Sequence, residues 1–261
     1  MQSIDPTPAK SVVQVYFPTR GLKLAYFNDR FDLHVGDIVY VDGKLEGLRG
    51  QVVEVNYNFK IKLSEYKRVI GKADVQIAGT LHLSGDYLLA FSPEIIPYQK
   101  VLSWYKALRA PDEEYLTGND ETAFDLKDLE TMGIDGAVAQ RGYDYYLHHN
   151  LRYLCLDGRQ GQAIVEGTRV YEVEFQYDDG EISRLVCDCF CSAACKHEFA
   201  ALLQLRELLK EIETHHAGQM NGYFAAISKA ELFRFAIANR SEGTLTLGAK
   251  ADSAQRIEIL F

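Results

Sequence analysis

The sequence predicts an α+β protein: a small antiparallel β-barrel near the N-terminus, then helices, then a strand–hairpin–helix unit built round a cysteine cluster. Three observations carry this. Residues 11–92 are a run of short segments rich in β-branched and aromatic residues, separated by turn residues. From Pro93 the apolar period lengthens to that of a helix. Four of the five cysteines fall between Cys187 and His197, between a strand pattern and a long helix pattern.

In the first region, SVVQVYF, LKLAYF, DIVYVD, GQVVEVNYNFKIKL and ADVQIAGTLHL read as strands. Asp42-Gly43 is a hairpin signal, and Gly36, Gly47 and Gly50 supply corners, so the closely spaced strands suggest a small barrel. The stretch VGDIVYVDGKLEGLRGQVVEV is similar to the SH3-like or KOW-type barrels of some nucleic-acid and ribosome-associated proteins, over about twenty residues.

Ile95, Ile96, Val101, Leu102, Trp104, Tyr105 and Leu108 give one apolar stripe of a helix. The segment 110–125 holds six acidic residues and no basic one, and reads as a solvated connector. A short helix over Leu126–Met132 stops at Gly133. VAQRGYDYYLHHN reads as a helix burying its aromatic residues despite Gly142. Next come LRYLCLD and QAIVEG across Asp157-Gly158. RVYEVEFQYDDG then alternates Tyr171, Val173, Phe175 and Tyr177 against Glu172, Glu174 and Gln176, and EISRLVC follows. HEFAALLQLRELLKEIETHH is an amphipathic helix. Ser228 to Glu231 reads as a capping box opening a last helix, with Ile227 and Leu232 as its staple, before two strands, GTLTLGAK and RIEILF. The predicted domains are 11–94, 95–132 (connector), 133–216 (cysteine-cluster unit) and 217–261.

The chain is 47% hydrophobic and 25% charged, which is ordinary for a globular protein. No apolar run approaches the ~20 residues of a membrane span, and MQSIDPTPAKS lacks a signal's apolar stretch, so a cytoplasmic location is expected. Clustered cysteines without an export signal point to metal rather than disulfides. Cys187 and Cys189, at i and i+2 on an extended segment, point to one side. Cys195 and His197 form a second pair at the helix start, and three thiolates with an imidazole close a tetrahedral zinc shell. Such a shell leaves no open position for water and predicts a structural Zn2+. Cys191, between the pairs, is a fifth candidate able to replace Cys189; Cys155, within a strand, reads as a core residue.

The pattern C-x-C-x5-C-x-H before a helix resembles the SWIM zinc-finger family, and RGYDYYLHHN, GTRVYEVEFQ, VCDCF and ACKHEFAALLQL follow the order of SWIM elements over residues 137–206. That resemblance selects Cys187, Cys189, Cys195 and His197 as metal ligands and leaves Cys191 spare. It also implies a protein- or DNA-interaction module. In bacterial SWI2/SNF2-type helicases such a unit precedes the ATPase motor, so this chain is expected to be an N-terminal part of such a protein, docking an ATPase core or another protein partner. DNA binding by the SWIM unit and the barrel is the alternative. Net charge −9, and eight basic against fourteen acidic side chains within 133–213, favour a protein partner. The pairs His148-His149 and His215-His216 read as solvated or packed, and the acidic run 112–125 as linker. No phosphate loop, dinucleotide fingerprint or nucleophile elbow occurs, so no enzyme activity is expected of this chain. Partner identity and oligomeric state are not legible.

Overall fold

A computed structural model describes residues 9–77, 79–108, 122–191, 193–237, 244–248 and 256–260. The chain divides into two compact units, Met1–Val75 with Gln99–Glu113, and Gln76–Tyr98 with Glu114–Phe261.

The first unit is a five-stranded antiparallel sheet of β1 (Ser11–Phe17), β2 (Leu22–Asn28), β3 (Ile38–Val41), β4 (Gly50–Asn56) and β5 (Val69–Lys72), in the order β2-β1-β4-β3-β5. Val13, Val15 and Phe17 alternate inward and are fully buried with Val39, Val41, Val52 and Val69. Strand β4 ends where the Asn56 side chain accepts the Asn58 N–H at 2.8 Å, an Asx turn that ends the predicted longer strand. The expected barrel is not formed. Its would-be closing strands, β2 and β5, meet only at an isolated Phe27–Arg68 bridge with no ladder, so the sheet stays open.

The second unit is one large, almost wholly antiparallel sheet. Its strands are β6 (Gly79–Ser84), β7 (Tyr87–Ala90), β8 (Phe124–Asp125), β9 (Leu151–Asp157), β10 (Gln160–Glu166), β11 (Val170–Asp178), β12 (Glu181–Cys187), β13 (Tyr223–Ser228), β14 (Thr244–Gly248) and β15 (Arg256–Leu260). They lie in the order β15-β14-β6-β7-β13-β9-β10-β11-β12-β8. The expected self-contained strand–hairpin–helix unit is therefore also corrected: its strands are the centre and flank of a sheet completed by β6, β7 and β13. The fold is thus two open sheets with few helices, not a barrel joined by helices to a zinc-finger unit. The reason is β13, YFAAIS, whose six residues are all buried. A strand buried on both faces carries no alternation, and its alanines carry no β signal.

Helices are fewer than the apolar periods suggest. Only Tyr98–Leu102 (α1) is α-helical in the first stripe. Trp104 and Tyr105 are buried in turns bonded three residues back, and the Trp104 indole donates to the Asp74 carbonyl at 2.6 Å. Leu129–Met132 forms a 3-10 turn that Gly133 ends in the left-handed region. At Ser228 the side chain makes no cap; Lys229–Leu232 (α4) is one turn, followed by a π-turn over Phe233–Ile237. Among the described residues no helix is long and apolar enough to cross a membrane.

Two helices cover one face of the large sheet. Helix α3 (Lys196–His215) buries Ala201, Leu202, Leu205, Leu208 and Ile212 against Leu154, Val165, Val173, Phe175 and Phe224. Helix α2 (Gly136–Leu147) is capped by the Asp135 carboxylate, which accepts the Ala137 N–H at 2.9 Å. Its one fully buried residue is not an aromatic but Gly142. A Cβ there would lie 2.9 Å from Phe199 Cδ1 and 3.0 Å from the Lys196 carbonyl oxygen, so the glycine is what lets α2 approach the first turn of α3. Gly142→Ala should destabilise the protein by about 1–3 kcal/mol in urea unfolding through overpacking. Gly136→Ala, facing open space, should be neutral or mildly stabilising; equal effects would show that the α2–α3 contact is not tight.

Candidate metal centre

The centre is assembled at the exit of β12 and the start of α3, and a defect in β12 aims it. Pairing with β11 runs Gln176↔Ser183 and then Glu174↔Val186, so two β12 residues, Arg184 and Leu185, stand opposite Phe175. Arg184 has φ +50°, the left-handed geometry of a bulge. Strict alternation from buried Ile182 would turn Val186 inward and Cys187 outward. The extra residue instead turns Leu185 and Cys187 towards the core beneath α3, where both pack.

Beyond Cys187 the chain stays pinned to β11. Asp188 donates its N–H to the Glu172 carbonyl at 3.1 Å, and its carboxylate accepts the Glu172 N–H at 2.9 Å. The Asp188 carbonyl accepts from Arg169 Nη2 at 2.7 Å. Glu172, on the predicted polar face of β11, is itself buried and accepts the Tyr98 hydroxyl at 2.6 Å. Cys189 is thereby delivered beside Cys187.

The other pair belongs to a helix start. Cys195 is the N-cap of α3, and its sulfur accepts the Glu198 N–H at 3.5 Å while the Glu198 carboxylate accepts the Cys195 N–H at 2.7 Å. This is a reciprocal capping box with sulfur in the place of a hydroxyl. The positive end of the helix dipole lies at that sulfur. His197, two residues on, presents Nδ1 to the cluster, 3.7 Å from both Cys187 Sγ and Cys195 Sγ. Its ring stacks on Tyr171, with centroids 3.9 Å apart and planes at 19°, and meets the Tyr145 edge at 5.5 Å. Its Nε2 is buried with no hydrogen-bond partner, so on that side the ring is held by stacking.

All four expected ligands thus converge: the donor atoms of Cys187, Cys189, Cys195 and His197 lie within 4.8 Å of one another. A tetrahedral ion bonded to sulfur at ~2.3 Å and nitrogen at ~2.0 Å would hold sulfur and nitrogen about 3.5 Å apart and two sulfurs about 3.8 Å apart. The two sulfur–nitrogen separations of 3.7 Å match this. Cys191 is exposed and outside the cluster, and Cys155 is buried in β9. The remaining histidine pairs lie elsewhere: His149 Nε2 is 3.3 Å from an Asp86 carboxylate oxygen, His215 Nε2 is 3.7 Å from one of Glu211, and His216 packs on His82 and Phe91. Of the acidic run 112–125, residues 112–121 lie outside the described residues.

Without a cation the cluster is electrostatically crowded. Hydrogen bonding from the Cys187 thiol, helped by His197, holds Cys195 down to about 3 against the effect of burial. Cys187 is pushed far up, first by that same hydrogen bond to Cys195 and then by burial. Burial pushes Cys189 up to about 11, and burial with the Cys195 charge pushes the Glu198 carboxyl up to about 8. One thiolate is thus stabilised and its neighbours keep their protons until a cation displaces them.

Sequence reasoning picked out the four residues that converge here but missed the residues that place them: Arg184, Asp188, Glu198, Tyr171 and Tyr145. Only Glu198 had a readable signal, the Cys-x-x-Glu spacing of a capping box. No protein-family model, curated protein or solved structure matches this chain.

If the bulge aims Cys187, Arg184→Gly should keep metal affinity, since glycine accepts positive φ, while Arg184→Val should lower it at least about tenfold by resisting that geometry. Competition with a chromophoric chelator measures both. Equal affinities in the two variants would remove the bulge from the account of the site.

Proposed function

We propose that this chain is a non-catalytic interaction module in which one structural zinc ion clamps the end of β12 to the start of α3. The observation that carries this is the closed donor set, three sulfurs and one imidazole nitrogen within 4.8 Å. Sulfur-rich tetrahedral sites select zinc over the harder cations, and four protein ligands leave no position for a substrate or an activated water. The ion would hold Cys187, Cys189, Cys195 and His197 and contribute by fixing the cysteine loop on the sheet.

A protein partner is the reading we favour. Phe190, in that loop, is 97% exposed, and the Arg169 guanidinium lies 5.2 Å from its ring centroid and 5.0 Å from that of Tyr171. An exposed aromatic beside arginine and tyrosine is the residue set that anchors protein interfaces. The net charge of −9 argues against a phosphate-binding face. The ligand order resembles that of SWIM units, which precede the motor in SNF2-type helicases, so an ATPase core of that kind is the partner we propose.

Metal analysis of the purified chain should give about one zinc per chain. Chelation, or Cys195→Ser, should lower the melting temperature by about 10 °C or more, the effect of losing a few kcal/mol in a domain of this size. Phe190→Ala should leave the melt unchanged and weaken capture of an SNF2-type ATPase core. A metal-free chain with an unaltered melt would sink the zinc reading, and salt-sensitive shifting of duplex DNA with no capture would sink the protein partner.

A further inference from the structure

A cavity of about 270 Å3 opens along the second half of α3, away from the cysteine cluster, and none of the four clustered donors lines it. The turn between β6 and β7 forms one side with Asp86, and the last turn of α2 forms another with Tyr146 and Leu147. Helix α3 supplies the rest through Gln204, Glu207, Leu208 and Glu211.

The polar groups of this cavity call for a ligand that donates. Glu207 Oε2 accepts from the Tyr146 hydroxyl and from Gln204 Nε2, both at 2.9 Å. Those donors are neutral, and among the described residues no cation pairs with this carboxylate. Gln204 is only 3% exposed, and its amide oxygen meets no donor among the described residues. An acceptor on a buried side chain at a cavity wall is completed by an N–H or O–H of whatever enters. Asp86 and Glu211 add carboxylates to the wall. Lys229 lies 3.7 Å from Asp86, so that charge is already met, whereas Glu207 has no such neighbour. The C-terminus of α2 also faces the cavity, and its carbonyls carry the negative end of the helix dipole, which favours a cation.

The carboxylates are too dispersed for one metal ion. Among the described residues, the one group of three or more His, Cys, Asp and Glu donors gathered within 4.8 Å is the cysteine cluster. A larger cation that carries its own hydrogens suits acceptors spread in this way. Leu147, Leu208 and the buried Tyr87 give such a cation an apolar wall for a carbon stem.

We propose that this cavity binds an alkylammonium group, a primary amine on a short carbon stem. The ammonium donates to the Glu207 carboxylate and to the Gln204 amide oxygen, and the stem lies on Leu147 and Leu208. A free aliphatic diamine and the lysine side chain of a protein partner present this same chemistry. The proposal stands apart from the zinc reading, since the cavity shares no residue with the cluster.

The test titrates the full chain with cadaverine and, separately, with an acetylated and amidated lysine, and follows the backbone amides by NMR. At least one should bind saturably, with shifts centred on residues 84–87, 146–149 and 204–211. Tighter binding of cadaverine identifies a free amine as the source, and tighter binding of the lysine derivative a partner's side chain. Glu207→Gln, at an exposed position, should weaken binding at least about tenfold with the melt unchanged. Glu213→Gln makes the same charge change on the exposed side of the same helix, outside the cavity, and should leave binding unchanged. Saturable binding of neither amine, equal binding of pentanol, or an equal loss in the two variants would overturn the proposal and leave the zinc reading untouched.

Discussion

Three cysteine sulfurs and an imidazole nitrogen within 4.8 Å of one another set the terms for the whole second unit. Two thiolates about 4 Å apart repel by roughly 4 kcal/mol at an effective dielectric near 20, so three cannot ionise together unaided. Left alone, the cluster shares out protons, with Cys195 charged and Cys187 and Cys189 protonated. A divalent cation reverses the sign of each interaction and also relieves the buried Glu198 carboxyl beside it. The groups are placed where one cation could meet all four donor atoms.

The fold provides that placement through features that are local faults elsewhere. A bulge with a non-glycine residue at φ +50° turns Cys187 to the helical side of the sheet. A cysteine occupies a capping position that usually falls to a hydroxyl or carboxylate. A glycine inside α2 admits the first turn of α3, and α2 then supplies Tyr145 against the His197 ring. Lys196 adds a cation 4.6 Å from the Tyr145 ring centroid, tying the same two helices. Together they hold a strand end and a helix start at one separation, and the cysteine loop projects from that fixed base with Phe190 at its exposed face.

The cluster of Cys187, Cys189, Cys195 and His197 was legible because a metal-holding group is written in residue types and spacing. Strand patterns with one wet face, such as β1 and β11, and the amphipathic α3 were legible for the same reason. The sheets were not. Pairing between β13 and both β7 and β9 joins segments more than 60 residues apart, and nothing in YFAAIS or YLLA announces a partner. Closure of a barrel depends on the edges of β2 and β5, which glycine corners cannot reveal. The apolar stripe after Pro93 marked burial correctly, but Trp104 and Tyr105 are buried in turns because the indole N–H is satisfied by Asp74 rather than set on a helix face. Ser228 to Glu231 had the letters of a capping box; the working box is at Cys195, where the same reciprocal geometry also turns a sulfur into the cluster.

X-ray absorption at the zinc edge of the metal-loaded chain measures the shell directly. Three sulfurs near 2.3 Å and one nitrogen near 2.0 Å, with no oxygen, are what a closed structural site requires. A water oxygen in the shell, or a fourth sulfur in place of the nitrogen, would contradict it: the first would reopen the site to catalysis, and the second would bring Cys191 in as a ligand and displace His197.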